Sequence, residues 1–145
     1  PNVTISTDII VGFPGETEED FNETIDVVNQ LKFAFAFTFI FSPRVGTPAA
    51  LLKDNLSIEE KNNRLHQLNE LINKYANEDN QKYDGTVINV LVEGPSDKGE
   101  DMLMGYSDTN KLVNFKGDKN NIGKIVKIKI TKVKTWSLDG EMINE

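Results

Sequence analysis

Cysteine is absent from this chain, and histidine occurs once, as His66. Without a thiol there is no disulfide, no thiolate zinc site, no cysteine nucleophile and no iron–sulfur cluster held by the chain itself. One imidazole is too few for an all-protein transition-metal centre. Long apolar runs are missing too. The longest, Phe33 to Phe41, is too short to span a bilayer and predicts a buried strand. Pro1 to Asp8 holds no basic residue and no apolar stretch of the kind a secretory signal needs, so a cytoplasmic location and no membrane partner are expected. Whatever chemistry belongs here uses carboxylates, backbone groups or residues that this chain lacks.

What is present is the composition of a globular protein, 38% hydrophobic and 27% charged over 145 residues. The net charge of −7 argues at first against a polyanionic partner. It is unevenly spread, however. Residues 1–78 carry 12 acidic and 6 basic side chains, whereas residues 79–145 carry 11 and 10. Within the second part, Lys111 to Lys134 holds eight lysines against the single Asp118. Local density governs attraction to a polyanion more than the total does. A plain solvated face accounts equally for such a stripe.

The first part predicts strand–helix–strand–helix. Val3 to Val11 is a β-branched run ending in Gly12-Phe13-Pro14-Gly15. Thr17 with Asp20 forms a shortened capping box, and Phe21, Ile25, Val28 and Leu31 then recur at helical spacing over roughly Glu18 to Lys32. From Phe33 to Phe41 phenylalanine takes every odd position, a period of two that predicts a strand buried on both sides. Ser57 with Glu60 opens a long helix carrying Leu65, Leu68, Ile72 and Tyr75 on one face and reaching about Asn80. This order implies parallel strands joined by right-handed crossovers. Two strands alone cannot cover both faces of a parallel sheet, so the expected fold is the last portion of a larger β/α barrel or sheet.

Near Asp84-Gly85 the pattern changes. Thr86–Glu93, Met102–Tyr106, Leu112–Phe115 and Gly123–Lys134 are short strands punctuated by Gly, Asn and Asp, which predicts a small antiparallel barrel. In the last of these Val126, Ile128 and Ile130 share one face and Lys127 and Lys129 the other. Val133 falls on the wrong parity, so a bulge is expected near Thr131–Lys132. The class is therefore α/β plus all-β, divided at about 78/79.

Candidate sites follow from this layout. Gly12, Pro14, Gly15 and Glu16 sit where a strand feeds a helix, at the edge where β/α barrels carry their active sites. There backbone can approach a ligand and Glu16 can accept hydrogen bonds, although a plain capped turn has the same pattern. Ser42, Arg44 and Thr47 leave the next strand at the equivalent edge. The Arg44 fork suits a carboxylate or phosphate, or a salt bridge to a neighbouring glutamate. His66 is expected in solvent or at an interface, not as a general base. In the second part Asn110, Lys111, Asn114, Lys116, Lys127 and Lys129 could meet RNA phosphates and bases, with Tyr106 or Phe115 near bases. The alternative for these is a solubilising surface.

Taken in order, TDIIVGFPGETEEDF, FTFIFSPRVGTPAA, LVEGPS, LMGYSDTNKLVNFKG and IGKIVKIKITKVKTWSLDGE resemble the C-terminal part of the radical S-adenosylmethionine methylthiotransferase family. The resemblance covers nearly the whole chain. It implies the last strand–helix units of a radical S-adenosylmethionine domain (1–78) followed by an RNA-binding TRAM barrel (79–145). It further implies S-adenosylmethionine and two 4Fe-4S clusters in the parent enzyme, with every cluster ligand outside this cysteine-free chain and no catalysis by the chain alone. By the same resemblance, Gly12 to Glu16 would wall the S-adenosylmethionine pocket. Ser42, Arg44 and Thr47 would line its mouth, and Asn110, Lys111, Asn114 and Lys116 would grip a tRNA anticodon stem-loop. The implied reaction places a methylthio group on carbon 2 of an isopentenylated adenosine beside the anticodon. The implied partners are the upstream domains of the same protein; independently of the resemblance, the open sheet edge at Val3–Val11 is expected to promote self-association. Two other readings stay open. One is a stand-alone RNA-binding module, and the other a related methylthiotransferase acting on threonylcarbamoyl adenosine or on a ribosomal-protein aspartate.

Overall fold

A computed structural model describes residues 2–143. They form two compact units, Ile5–Tyr75 and a second that begins at Ala76 and takes in the few residues before Ile5.

The first unit contains β1 (Ser6–Val11), α1 (Glu18–Leu31), β2 (Phe35–Ile40), a short 3-10 turn (Pro48–Leu51) and the body of α2 (Ile58–Gln81). Thr17 caps α1 as expected: its hydroxyl accepts from the Asp20 N–H at 3.1 Å, and the Asp20 carboxylate accepts from the Thr17 N–H at 2.8 Å. Three carboxylates in the first turn meet the positive end of the helix dipole. The helix stops at Lys32, which takes a left-handed φ of 47°. At α2 the Ser57–Glu60 box forms in full, with the Glu60 carboxylate accepting from the Ser57 N–H at 2.8 Å.

β1 and β2 pair in parallel, with Ser6 opposite Phe35 and Val11 opposite Ile40. One face, bearing Ile9, Val11, Ala36 and Ile40, packs against Phe21 and Val28 of α1 and Leu68, Ile72 and Tyr75 of α2. Each fully buried side chain of this kind stabilises the fold by about 1.5–3 kcal/mol. The opposite face is bare. The expected double burial of the phenylalanine strand is therefore corrected: Phe37 is 60% exposed and Phe39 50%. The helices take the small side of β2, because Ala36 and Thr38 let them approach closely. The ring-bearing side faces away from them.

The second unit is a closed barrel of β3 (Val87–Pro95), β4 (Met102–Ser107), β5 (Leu112–Lys116), β6 (Ile125–Val133) and β7 (Leu138–Met142), in the order β3-β4-β5-β7-β6. The sequence pattern predicts an all-antiparallel barrel, whereas β5 and β7 run parallel, Val113 opposite Leu138 and Lys116 opposite Glu141. The chain leaves β6 by a tight hairpin, so β7 is antiparallel to β6 and closes the barrel against the strand already there. The expected bulge is present as a register shift between Ile130 and Lys132. Val90, Val92, Leu103, Val113, Phe115, Ile128, Ile130 and Leu138 fill the interior.

Closure depends on two glycines. A Cβ on Gly105 would lie 2.1 Å from the Leu91 carbonyl oxygen, and one on Gly140 would lie 2.5 Å from that of Lys129. Neither backbone can yield without opening the ladder. We therefore expect Gly105→Ala to cost the barrel about 3 kcal/mol in urea unfolding, the upper range for overpacking. Gly94→Ala is the control, since nothing lies within 4 Å of its added methyl. Equal midpoints for the two variants would show that closure does not hinge on Gly105.

Candidate functional site

In the first unit, the turn after β1 and the loop after β2 leave neighbouring strand ends at the same edge. The Phe41 N–H donates to the Val11 carbonyl at 2.8 Å, and the Phe13 and Phe41 rings meet edge-to-face with centroids 4.9 Å apart. Gly12 and Gly15 adopt φ of 71° and 87°. Such values are strained for any other residue, so the turn needs glycine at both positions.

Glu16 is turned inward. Its Oε1 accepts from the Gly12 N–H at 3.0 Å and from Arg64 Nη1 at 2.7 Å, and the same nitrogen donates to the Glu16 carbonyl at 3.0 Å. Arg64 is itself buried and lies over the Phe21 ring, 5.6 Å from its centroid. This carboxylate is thus a strut for the Gly12–Glu16 turn, with the acceptor Oε1 already in use. Sequence reasoning missed Arg64. A signal existed: Arg64, Leu68 and Ile72 recur every four residues, which places the guanidinium on the buried stripe of α2, where it requires a partner.

Pro14 is half-buried, Gly15 has open space about it, and Ser42 and Arg44 are exposed. Thr47 caps the 3-10 turn, its hydroxyl donating to the Arg44 carbonyl at 2.8 Å. Arg44 therefore presents its guanidinium from a loop whose backbone is pinned. His66 is exposed, 3.2 Å from Glu70.

On the barrel, the six residues expected at RNA separate into two groups. Lys111 and Asn114 are buried. Lys111 Nζ lies 2.5 Å from Asp79 and 5.8 Å from the Tyr83 ring centroid, and its N–H donates to the Ser107 hydroxyl at 3.0 Å. Its charge is spent within the fold, on the last turn of α2. Asn114 accepts from the Ser96 hydroxyl at 2.7 Å, beneath the turn that follows β3. The alternation of LVNF puts Asn114 on the open face, whereas Lys111, one residue before the strand, shares the inward parity of Val113 and Phe115. Cover from Asp79 and Ser96, distant in the chain, is invisible to alternation.

Asn110, Lys116, Lys127 and Lys129 are exposed. Asn110 turns the chain between β4 and β5 with a φ of 60°. Lys116 and Lys129 are brought together: both stand opposite Glu141, one from β5 and the other from β6. Lys127 stands one outward position further along β6, opposite Asn89. The exposed lysines thus gather on the side of the barrel formed by β5, β7 and β6. Among the described residues no cluster of His, Asp and Glu could hold a metal ion, and no helix is long and apolar enough to cross a membrane.

Residues 81–143 match the TRAM domain family. Over all 145 residues the chain is 54% identical to the tRNA-2-methylthio-N(6)-dimethylallyladenosine synthase of Bacillus cytotoxicus, and 53% identical to that of Bacillus subtilis (strain 168). It spans 28% of the length of each of these curated relatives. The expected resemblance is borne out. Residues 81–143 are similar to the TRAM domain, and the chain is similar, along its whole length, to the TRAM-containing part of these synthases.

The Lys111–Asp79 pair should govern acid stability. Burial pushes the Asp79 carboxyl up, but hydrogen bonds and charge from Lys111 and Lys82 outweigh it and hold the carboxyl below its ordinary value. Because the folded value is depressed, the contribution is complete above the ordinary carboxylate value of about 4 and is lost as pH falls from there through the lower folded value. Lys111→Met should cost about 3 kcal/mol at neutral pH, as for one partner removed from a buried pair. Asp79→Asn should be less stable at neutral pH and show a flatter decline in acid, measured by urea unfolding at several pH values. A decline as steep as that of the unmodified chain would remove Asp79 from this role.

Proposed function

We propose, from the likeness of the whole chain to the TRAM-bearing part of these synthases, that it is the C-terminal portion of a cytoplasmic tRNA methylthiotransferase. It completes the S-adenosylmethionine pocket and grips the tRNA. In this reading β1, α1, β2 and α2 are the final units of a radical S-adenosylmethionine barrel, and the barrel of β3–β7 holds the anticodon stem-loop. The observation that carries it is the 53–54% identity over the full chain, which spans both units and not the TRAM domain alone. The bare face of β2 supports it as well. Phe37 and Phe39 are what an inward-facing strand of a larger barrel would present. A stand-alone RNA-binding module gives them no purpose.

The residues at the strand ends fit the cofactor in part. Gly15 has no Cβ, and nothing lies within 4 Å of where one would stand, so a ligand can approach the backbone there. Arg44 offers an exposed fork to the methionine carboxylate, with Ser42 beside it. Glu16 and Gly12 shape the turn, while Pro14 stiffens it and Thr47 fixes the loop that presents Arg44. Bound S-adenosylmethionine would supply both the methyl group and the radical. The two 4Fe-4S clusters do not fit this chain, which has no cysteine to ligate them. They belong to the remaining length of the parent protein.

Two outcomes test the reading. In the longer protein, Arg44→Ala should reduce methylthiolated tRNA by about 10–100-fold, the worth of one hydrogen bond to a charged group. Mass spectrometry of tRNA nucleosides gives the readout, and undiminished product would exclude Arg44 from the pocket. In the isolated chain, binding of anticodon stem-loop RNA should weaken steadily with salt. Replacing Lys116 and Lys129 by Ala should lower the slope of log K against log salt by about 1 for each phosphate no longer neutralised. A slope unchanged by the double variant would place the phosphates elsewhere.

A further inference from the structure

The strand registers of the barrel line up four apolar residues across its outer surface. Leu112 of β5 stands opposite Tyr106 of β4, Tyr106 opposite Leu91 of β3, and Leu91 opposite Ile125 of β6. Directly paired residues on antiparallel strands project to the same side with Cβ atoms about 5 Å apart, so the four make a continuous stripe. Their sequence neighbours Val90, Val92 and Val113 point inward and are fully buried. The stripe itself meets water: Leu91 is 47% exposed, Ile125 71%, and Tyr106 and Leu112 partly so.

Single exposed aliphatic residues need no explanation, but a contiguous row on a closed barrel marks an interaction surface. What flanks it identifies the partner. The next outward row on β3 and β6 is Asn89 opposite Lys127, and the one beyond is Val87 opposite Lys129. Lysine is depleted in protein–protein interfaces. An apolar strip with one aromatic ring, bordered by lysines, is instead an arrangement that can seat unpaired bases against ring and methyl groups while cations follow the backbone.

We propose that the Leu112–Tyr106–Leu91–Ile125 stripe is a stacking floor for unpaired bases of RNA, with Lys127 and Lys129 meeting the adjoining phosphates. This rests on the RNA-binding reading above and adds to it a site and a substrate class, single-stranded loop nucleotides in place of paired stem. Exposed Glu93, the outward neighbour of Leu91 along β3, marks the side away from the phosphates. The backbone therefore crosses towards Lys127 and Lys129.

The test uses the whole chain with two labelled RNAs, a stem-loop with an unpaired loop and a blunt duplex of the same stem, titrated by fluorescence anisotropy. Tyr106→Ala should weaken stem-loop binding by about 5–100-fold, the range for one stacked base, and leave duplex binding and its salt slope unchanged. Ile125→Ser, at the most exposed position of the stripe, should weaken the stem-loop several-fold without lowering the melting temperature. It also keeps the test valid if Tyr106→Ala fails to fold. Failure of the unmodified chain to bind either RNA would defeat the RNA reading and the stripe with it. Tight stem-loop binding that neither variant alters would overturn the stripe alone, as would equal losses on stem-loop and duplex. So would an Ile125→Ser variant that turns a dimer into a monomer in sedimentation while its RNA affinity stays the same, because the stripe would then be a contact between copies.

Discussion

A β-strand has two edges that want hydrogen bonds and two faces that want cover, and the two units meet this requirement in different ways. The barrel meets it by closure: among the described residues its five short strands leave no edge, and its one parallel pairing, β5 with β7, is the joint that closes the ring. Closure in so small a barrel leaves no space for side chains where strands cross, and that is why Gly105 and Gly140 stand where they do. The parallel pair β1–β2 does not meet the requirement from within. Helices cover one face, and the other presents phenylalanine rings to solvent. The first unit thus covers its sheet on one side only, and in the proposed reading the other face would belong to the interior of a larger barrel.

Burial also decides which charged groups are free to act. Glu16 and Lys111 are both candidate site residues in the sequence, and each is held by a partner of opposite charge, Arg64 and Asp79. Such pairs are expensive to break and so fix local geometry. One holds the Gly12–Glu16 turn, the other anchors the β4–β5 hairpin on the last turn of α2. In the proposed reading, recognition falls to groups carried by these fixed frames: Arg44 on a pinned loop, and the exposed lysines and apolar stripe on the barrel.

Much of this is legible in the sequence because it depends on neighbours in the chain. Both capping boxes, the helical stripes, the parity of β6 and its bulge all follow from spacings of two to four residues. Strand β7 is not legible. Leu138-Asp139-Gly140-Glu141-Met142 alternates as a strand should, but two acids and a glycine in five residues resemble a turn. Only the need to close the barrel makes it a strand. Asn114 and Lys111 are misplaced by sequence reasoning for the same reason, since the groups covering them come from residues 18 and 32 positions away. The resemblance of ordered motifs carries the family assignment further than any local pattern does, yet it cannot say which side chains point outward.

A net charge of −7 does not bar a polyanion from the barrel. Charges more than a Debye length of about 8 Å from a bound phosphate are largely screened at physiological salt. At the barrel surface the near charges therefore decide. There Lys116 and Lys129 flank Glu141 across three strands, each neighbouring strand about 4.8 Å away. Glu141, and Asp101 at 3.8 Å from Lys116, blunt the field of the two lysines, so in the proposed reading the surface would attract phosphate without gripping every nucleic acid strongly. Discrimination is then left to contacts that a uniform duplex cannot make. An apolar stripe beside a moderated basic row has that property, because a base must be unpaired to reach it.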